Sequence, residues 1–495
     1  MSVLRVSRLC LFSALGLLAL VLTGCAFNGG STAIAPVGSG STNAGSGTAR
    51  VALGGKVYGG QQPISGAAVT LWAAGTSASY GTGATSVATT TTDTNGNFSF
   101  NTAGVSPCTT GQYLYITSVG GDPGAGTNQY AALMAALPTP CGPGTASTYV
   151  VVNEVTTVAS VTALQQFMSI TPGGSPAWTI GVPAANVTGL ANAFLQVGNL
   201  AGIATGTSGP TTATSTINSV TYTTTITPDS TKINTLADIL GACINTAGSS
   251  VCTSLFTDTT PGSSLAPTDT IQAAYYLATN AGGLSLPAHG ATQGEPYYLC
   301  NTYVTGTAPF QPSGACSSGS TTYPTDWAIG VSWSTSNGTA TVGTATPYSL
   351  AIDGGGNIWT AYSCGASSTS CTDTANDTTN GPAYVTEFNP QGQVQFTPVS
   401  STKMTAGPGL TPGITGSTYA LLAGAPFSLA IDTANNAWFD SYSGANPLTP
   451  ANLGGVVTEI APGGASTGYV IAASKPGAMA IDGGNNNLSG RCAVV

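Results

Sequence analysis

Three stretches decide the C-terminal third of the chain: Pro347-Tyr348-Ser349-Leu350-Ala351-Ile352-Asp353 running on to Asn357-Ile358-Trp359, Pro426-Phe427-Ser428-Leu429-Ala430-Ile431-Asp432 running on to Asn436-Ala437-Trp438, and Pro476-Gly477-Ala478-Met479-Ala480-Ile481-Asp482 running on to Asn486. Self-similarity of this kind marks a repeated supersecondary unit. In each copy a short strand that buries its Ile ends on an Asp, and that Asp, with the Asn four positions on, can bond the backbone of the intervening turn. The Trp then begins a return strand. Two copies carry a later strand, Val385-Thr386-Glu387-Phe388 and Val457-Thr458-Glu459-Ile460, each followed by a Pro-containing turn.

Units of strand, turn and strand are the sequence form of a β-propeller blade. The block resembles NHL-type repeats and the related streptogramin-lyase-like propellers, and the resemblance implies blades over 326–495 that present one face to a protein, peptide or glycan. Roughly three blades fit, short of the usual minimum of about four. Where the third copy should reach Trp, the chain reads Asn486-Asn487-Leu488-Ser489-Gly490-Arg491-Cys492, so the array reads as cut short. Asp353, Asn357, Asp432, Asn436, Asp482 and Asn486 are read as turn residues in preference to a ring of cation ligands. No metal, cofactor or catalytic residue is expected.

The streptogramin-lyase resemblance would demand a histidine base and a metal-ligating carboxylate. The repeats contain no histidine; His289, the single one in the chain, precedes them. Without that base the residues favour binding over catalysis. Two other readings stay open: a propeller enzyme working through carboxylates such as Glu387 and Glu459, and a structural adhesion component.

Upstream, 51–148 alternates with period two. Gly55-Lys56-Val57-Tyr58-Gly59-Gly60, Pro63-Ile64-Ser65-Gly66-Ala67-Ala68-Val69-Thr70-Leu71 and Asp93-Thr94-Asn95-Gly96-Asn97-Phe98-Ser99-Phe100 describe short antiparallel strands joined by Gly-Gly and Asn-Gly turns. This resembles the carboxypeptidase-regulatory-like, or prealbumin-like, β-sandwich, with Tyr113-Leu114-Tyr115-Ile116 as a further strand. From 149 to 325 the spacing becomes helical. Asn153-Glu154 caps a stripe through Val155, Val158, Leu164, Phe167 and Met168, and further stripes follow at Leu190 to Val197, Ile233 to Leu240 and Ile271 to Ala278. The fold class is therefore multidomain and mainly β, with an N-terminal sandwich, a small helical middle domain and a partial propeller.

Eight cysteines fall into four sequence-local pairs, Cys108 with Cys141, Cys243 with Cys252, Cys300 with Cys316 and Cys364 with Cys371, which read as loop-closing disulfides. Cys492 is left over. The N-terminus gives those bridges an oxidising home: Arg5 and Arg8 precede an apolar run from Leu9 to Val21 that ends in Leu22-Thr23-Gly24-Cys25. A basic head and a short apolar core predict a secretory signal over 1–24. Its ending resembles the lipobox of bacterial lipoproteins, which implies cleavage before Cys25, lipidation of its thiol and attachment to the membrane through that lipid. A Gly, Ser and Thr tether over 25–50 follows. Localisation is then the bacterial cell envelope, outside the cytoplasm, at the outer membrane if the host has one.

Charge narrows the partners. Charged residues are only 5% of the chain, against roughly 25% in ordinary soluble domains. Losing Arg5 and Arg8 leaves six basic residues against 17 acidic ones, a net of −11. Such a surface has no cluster of cations to neutralise phosphates, so nucleic acid is set aside.

Overall fold

Alternation builds the first two sheets. In β3 (Ala68–Ala73) Val69, Leu71 and Ala73 are buried while Thr70 and Trp72 turn to the other face, where Trp72 Nε1 donates to Thr117 Oγ1 over 2.9 Å. Burying a Val or Leu side chain in this way contributes about 1.5–3 kcal/mol, and the Ala73 methyl less. The first sheet holds β1 (Leu53–Gly59), β2 (Gln62–Pro63), β5 (Asn97–Ser99) and β8 (Thr148–Val152). Strand β1 is central, parallel to β8 on one side and antiparallel to β5 and β2 on the other. The second sheet runs β4 (Thr85–Thr91), β3, β6 (Leu114–Val119), β7 (Ala132–Ala136).

The computed structural model describes residues 53–100, 110–142, 148–248, 250–284, 294–304, 308–314, 316, 323–336, 341–342, 347–363, 383–396, 399–400, 405–406, 426–442, 455–471, 479–481 and 487–489. It is mainly β, with a few helices and several separate sheets. Among the described residues no helix is long and apolar enough to cross a membrane.

Among the described residues six α-helices, α1 (Glu154–Leu164), α2 (Val187–Leu200), α3 (Ser230–Ile244), α4 (Ser250–Asp258), α5 (Thr270–Thr279) and α6 (Gly294–Tyr303), follow the first sheets. Asn153 caps α1 through a reciprocal pair, its side chain accepting from Thr156 N and its own N–H meeting Thr156 Oγ1. Between them lie two hairpins, β9 (Met168–Ile170) with β10 (Trp178–Ile180), and β11 (Thr211–Ile217) with β12 (Val220–Pro228). The second turns on Asn218-Ser219, both with positive φ, the backbone twist a two-residue hairpin favours.

Helices and sheet share their polar groups as well as their core. Strand β7 is a sheet edge, and its outward N–H groups at Ala132, Met134 and Ala136 donate to Thr270 Oγ1, Thr157 Oγ1 and Ser160 Oγ at 2.9, 2.8 and 2.9 Å. An unpaired buried N–H is costly, so these hydroxyls from α1 and α5 close the edge. One hydrophobic cluster runs from Val57 and Leu71 through Leu133, Val161 and Phe194 to Ile239 and Trp327. It crosses position 148 without a break.

Two disulfides brace the helices, Cys243–Cys252 with Cα atoms 4.6 Å apart and Cys300–Cys316 with Cα atoms 5.2 Å apart. Cys141 is also disulfide-bonded. Cys10, Cys25, Cys108, Cys364, Cys371 and Cys492 lie outside the described residues, as do His289, Asp482 and Asn486. Replacing Cys243 and Cys252 together by Ser is expected to cost about 2–3 kcal/mol through the unfolded-state entropy that the short loop no longer restricts. Thermal unfolding of the variant against the oxidised parent checks this, and equal melting temperatures would refute it.

The remaining strands form successive antiparallel sheets. One joins β11 and β12 to β13 (Val331–Ser336) and β14 (Thr341–Val342), so the hairpin at 211–228, inside the interval read as helical, pairs with a strand beyond 326. Next come β15 (Pro347–Ile352), β16 (Ile358–Ser363), β17 (Ala383–Phe388) and β18 (Val399–Ser400), in chain order. A third sheet holds β20 (Pro426–Ile431), β21 (Ala437–Tyr442), β22 (Gly455–Ile460) and β23 (Ser466–Ile471), with β19 (Thr405–Ala406) added parallel to β23. Finally β24 (Met479–Ile481) pairs with β25 (Asn487–Ser489). Among the first strands, β20 lies beside both β15 and β24.

Each hairpin before a fourth strand leans on the sheet before it. Gly392 closes against Ile226 and Thr224, and Gly464 against the Phe396 ring, where an added Cβ would come within 2.9 Å. Both glycines have positive φ, so the turn and the close approach ask for the same residue. The expected burial of the repeat Ile is corrected here: Ile352 is 63% exposed and Leu350 62%. The opposite side of the sheet makes the core, with Trp359, Ala361 and Val385 fully buried and Trp359 packed 5.6 Å from Phe396.

Candidate functional site

The repeat acids sit in nearly identical turns. Asp353 Oδ1 accepts from Gly355 N and Asn357 N at 2.8 and 2.9 Å, while Oδ2 accepts from Asn357 Nδ2 at 3.0 Å and Trp359 Nε1 at 3.1 Å. Asp432 repeats the pattern with Ala434 N, Asn436 N, Asn436 Nδ2 and Trp438 Nε1. Asp93 does the same with Asn95 and Asn97, without a Trp. Four bonds occupy each repeat carboxylate. Its chemistry is spent on the turn.

Glu387 and Glu459 stand opposite the two Trp residues in the sheet registers. Asn436 Nδ2 bridges Asp432 and Glu459, reaching Glu459 Oε1 at 3.0 Å. Burial, then the nearby Asp353 charge, pushes Glu387 up to about 7, against the pull of hydrogen bonds from Asn357 and the Gly463 backbone. The repeat is thus an Asp, Asn, Trp and Glu cluster knitted into each sheet. Helix α2 seals one such cluster, with Asn192 Nδ2 donating to Gly355 O at 3.0 Å and Asn199 Nδ2 to Pro390 O at 3.0 Å.

A second candidate lies elsewhere, a cleft of about 940 Å³ between α3, α4, α6 and the segment after α6. Asp238, Gly241, Ala242 and Asn245 line its α3 wall, at the spacing that puts residues on one helix face. Asp238 is 3% exposed, and its Oδ1 accepts from Phe310 N at 3.0 Å. Burial raises it to about 7, with the Phe310 N–H and the Ser313 hydroxyl pulling the other way. On the facing wall Asp258 accepts from Tyr303 Oη at 2.6 Å and Tyr298 Oη at 3.4 Å. Both phenols are raised, chiefly by burial.

Behind this wall Glu154, the first residue of α1, is fully buried. Oε1 accepts from Gly60 N at 2.8 Å and Oε2 has no partner. Burial pushes it up to about 8, and the Asp238 charge adds to the shift. Asn245, whose side chain lies against Gly60, also leaves Oδ1 unpaired. Among the described residues no group of three or more His, Cys, Asp or Glu could hold a metal ion.

Sequence reasoning placed candidate residues in the repeats and missed this cleft. Its signal was an acid inside the apolar stripe Ile233, Leu236, Ala237, Ile239, Leu240, a rare placement in a chain with 17 acidic residues. A scan against models of protein families, a search of curated proteins and a search of solved structures each found no match.

Proposed function

We propose that this chain is a lipid-anchored, extracytoplasmic protein of the bacterial envelope whose role is to bind a ligand. The anchor rests on the sequence up to Cys25. The disulfides at Cys243–Cys252 and Cys300–Cys316 support an oxidising compartment. Sheets made in chain order, first strands side by side and hairpins leaning on the preceding sheet support the reading of the repeats as consecutive blades after a prealbumin-like sandwich and helices.

One observation carries the binding role: a roomy cleft with the buried carboxylate of Asp238 in its wall. The repeat acids line no comparable cleft, and Asp353 and Asp432 are engaged by their own turns. Cys25→Ala is expected to shift the protein from the membrane to the soluble fraction, or to leave an uncleaved precursor. Fractionation with intact-mass measurement checks it. Unchanged distribution and mass would overturn the anchor.

A further inference from the structure

We infer that the cleft between α3, α4 and α6 is a site for a neutral saccharide, bound through the hydroxyl face of α4 and the Tyr298 ring. That face is regular. Ser250, Thr253, Ser254 and Thr257 stand at helical spacing, all exposed and all lining the cleft, with Thr302 of α6 exposed there too. Each hydroxyl brings one donor and two lone pairs, and Thr257, which donates to Thr253 O at 3.0 Å, still has lone pairs to accept with. Neighbours three and four positions apart on a helix hold their Cβ atoms about 5–6 Å from one another. Hydroxyls on opposite sides of a sugar ring are separated on that scale.

Charge decides between hydroxyl-bearing ligands. Among the described residues the cleft is lined by two carboxylates and by no Lys, Arg or His, so an anion is repelled. Both carboxylates are held by donors of the protein itself, Asp258 by the Tyr303 and Tyr298 hydroxyls and Asp238 by the Phe310 N–H and the Ser313 hydroxyl. The α4 wall is uncharged over these four hydroxyls, and it suits an uncharged occupant. Tyr298 lines the same space with its hydroxyl tied to Asp258, and an aromatic ring held in place suits the C–H face of a sugar.

The walls are also braced. Cys243 follows Ala242 in α3, Cys252 precedes Thr253 in α4, and Cys300 lies between Tyr298 and Thr302 in α6, so both bridges hold segments that line the cleft. A site fixed before binding loses less entropy when it fills. At about 940 Å³ the cleft has the room of a small-molecule site, which spans roughly 300–1,000 Å³.

The inference rests on the binding role proposed above and needs neither the anchor nor the blades. Calorimetric titration of the full chain with maltotetraose, cellotetraose and chitotetraose tests it, against tetragalacturonate as an anionic analogue and a capped serine tetrapeptide as a hydroxyl-bearing peptide. At least one neutral saccharide is expected to bind about tenfold or more tighter than either control, and Ser254→Trp, which fills the cleft from an exposed position, to weaken it by about tenfold or more. If that variant does not fold, Thr253→Trp reads the same loss. Tetragalacturonate bound as tightly as the neutral saccharides, or an affinity unchanged in a folded variant, would overturn the proposal. A serine tetrapeptide bound best in the parent and lost in the variant would overturn the saccharide and leave the binding role standing. No probe bound at millimolar concentration would overturn the inference and count against the binding role as well.

Discussion

Glu154→Gln is expected to make the protein more stable than the parent at about pH 8, by roughly 4 kcal/mol, and to change its stability near pH 4 very little. The reason is a proton that the fold keeps. In the folded protein Glu154 titrates at about 8, against an ordinary 4.5. Between those values the unfolded chain gives up the proton and the native state holds it, so stability is full below the unfolded value and falls as pH rises towards 8. A helix N-terminus favours a carboxylate, yet burial without a cation outweighs it here.

The neutral side chain has a use for that proton. Protonated, the side chain leaves no charge to desolvate in the core, and Oε2 becomes a hydrogen-bond donor. Glutamine offers an amide donor without the titration. Asp238, Asp269 and Glu387, each raised to about 7 chiefly by burial, leave a slope of the same sign in the variant, less steep than the parent's. Urea denaturation at several pH values checks the prediction. A parent whose midpoint is flat between about pH 5 and 8 would mean that Glu154 is ionised in the fold.

Asp353→Asn should cost about 3 kcal/mol, although it changes one atom. The new amide cannot satisfy all four donors: if its oxygen keeps the backbone N–H groups, its nitrogen faces Asn357 Nδ2 and the indole N–H of fully buried Trp359. Turning the amide over orphans the backbone instead. Each buried donor left unpaired costs about 1–3 kcal/mol, partly offset here because Glu387 loses a like-charged neighbour. Asp93→Asn removes the same turn pattern at an exposed position, where water replaces what is lost. Its melting curve should barely move. Equal losses at the two sites would disprove the role given to the buried indole.

Much of this was legible beforehand. Alternation around Val69 and Leu71, and the Asn153 cap before its stripe, named elements that the structure contains because both signals are local and strong. The hairpin at 211–228 was hidden for a physical reason: its strands are mostly Thr, and the apolar Tyr222 packs in a small cluster with Phe388 and Val394, far off in sequence. No local period announces such a partner. The cleft was invisible likewise, since α4 and α6 carry weak apolar patterns and bring Asp258, Tyr298 and Tyr303 to Asp238 only through tertiary packing. The exposed Ile352 shows the converse, an apolar pattern that names a strand without saying which face the core will cover.

The central place of β1 bears on mechanics. A pull entering the chain ahead of Leu53 runs along the strand, and β1 is laddered to β8 over Leu53–Val57 on one flank and to β5 over Gly54–Lys56 on the other. Loaded lengthwise, those bonds must shear together and cannot open one at a time. Strand β8 leads directly through Asn153 into α1, whose hydroxyls clasp the edge of the second sheet. Tension from the N-terminal side is therefore spread into both sheets and the helices before any strand slips.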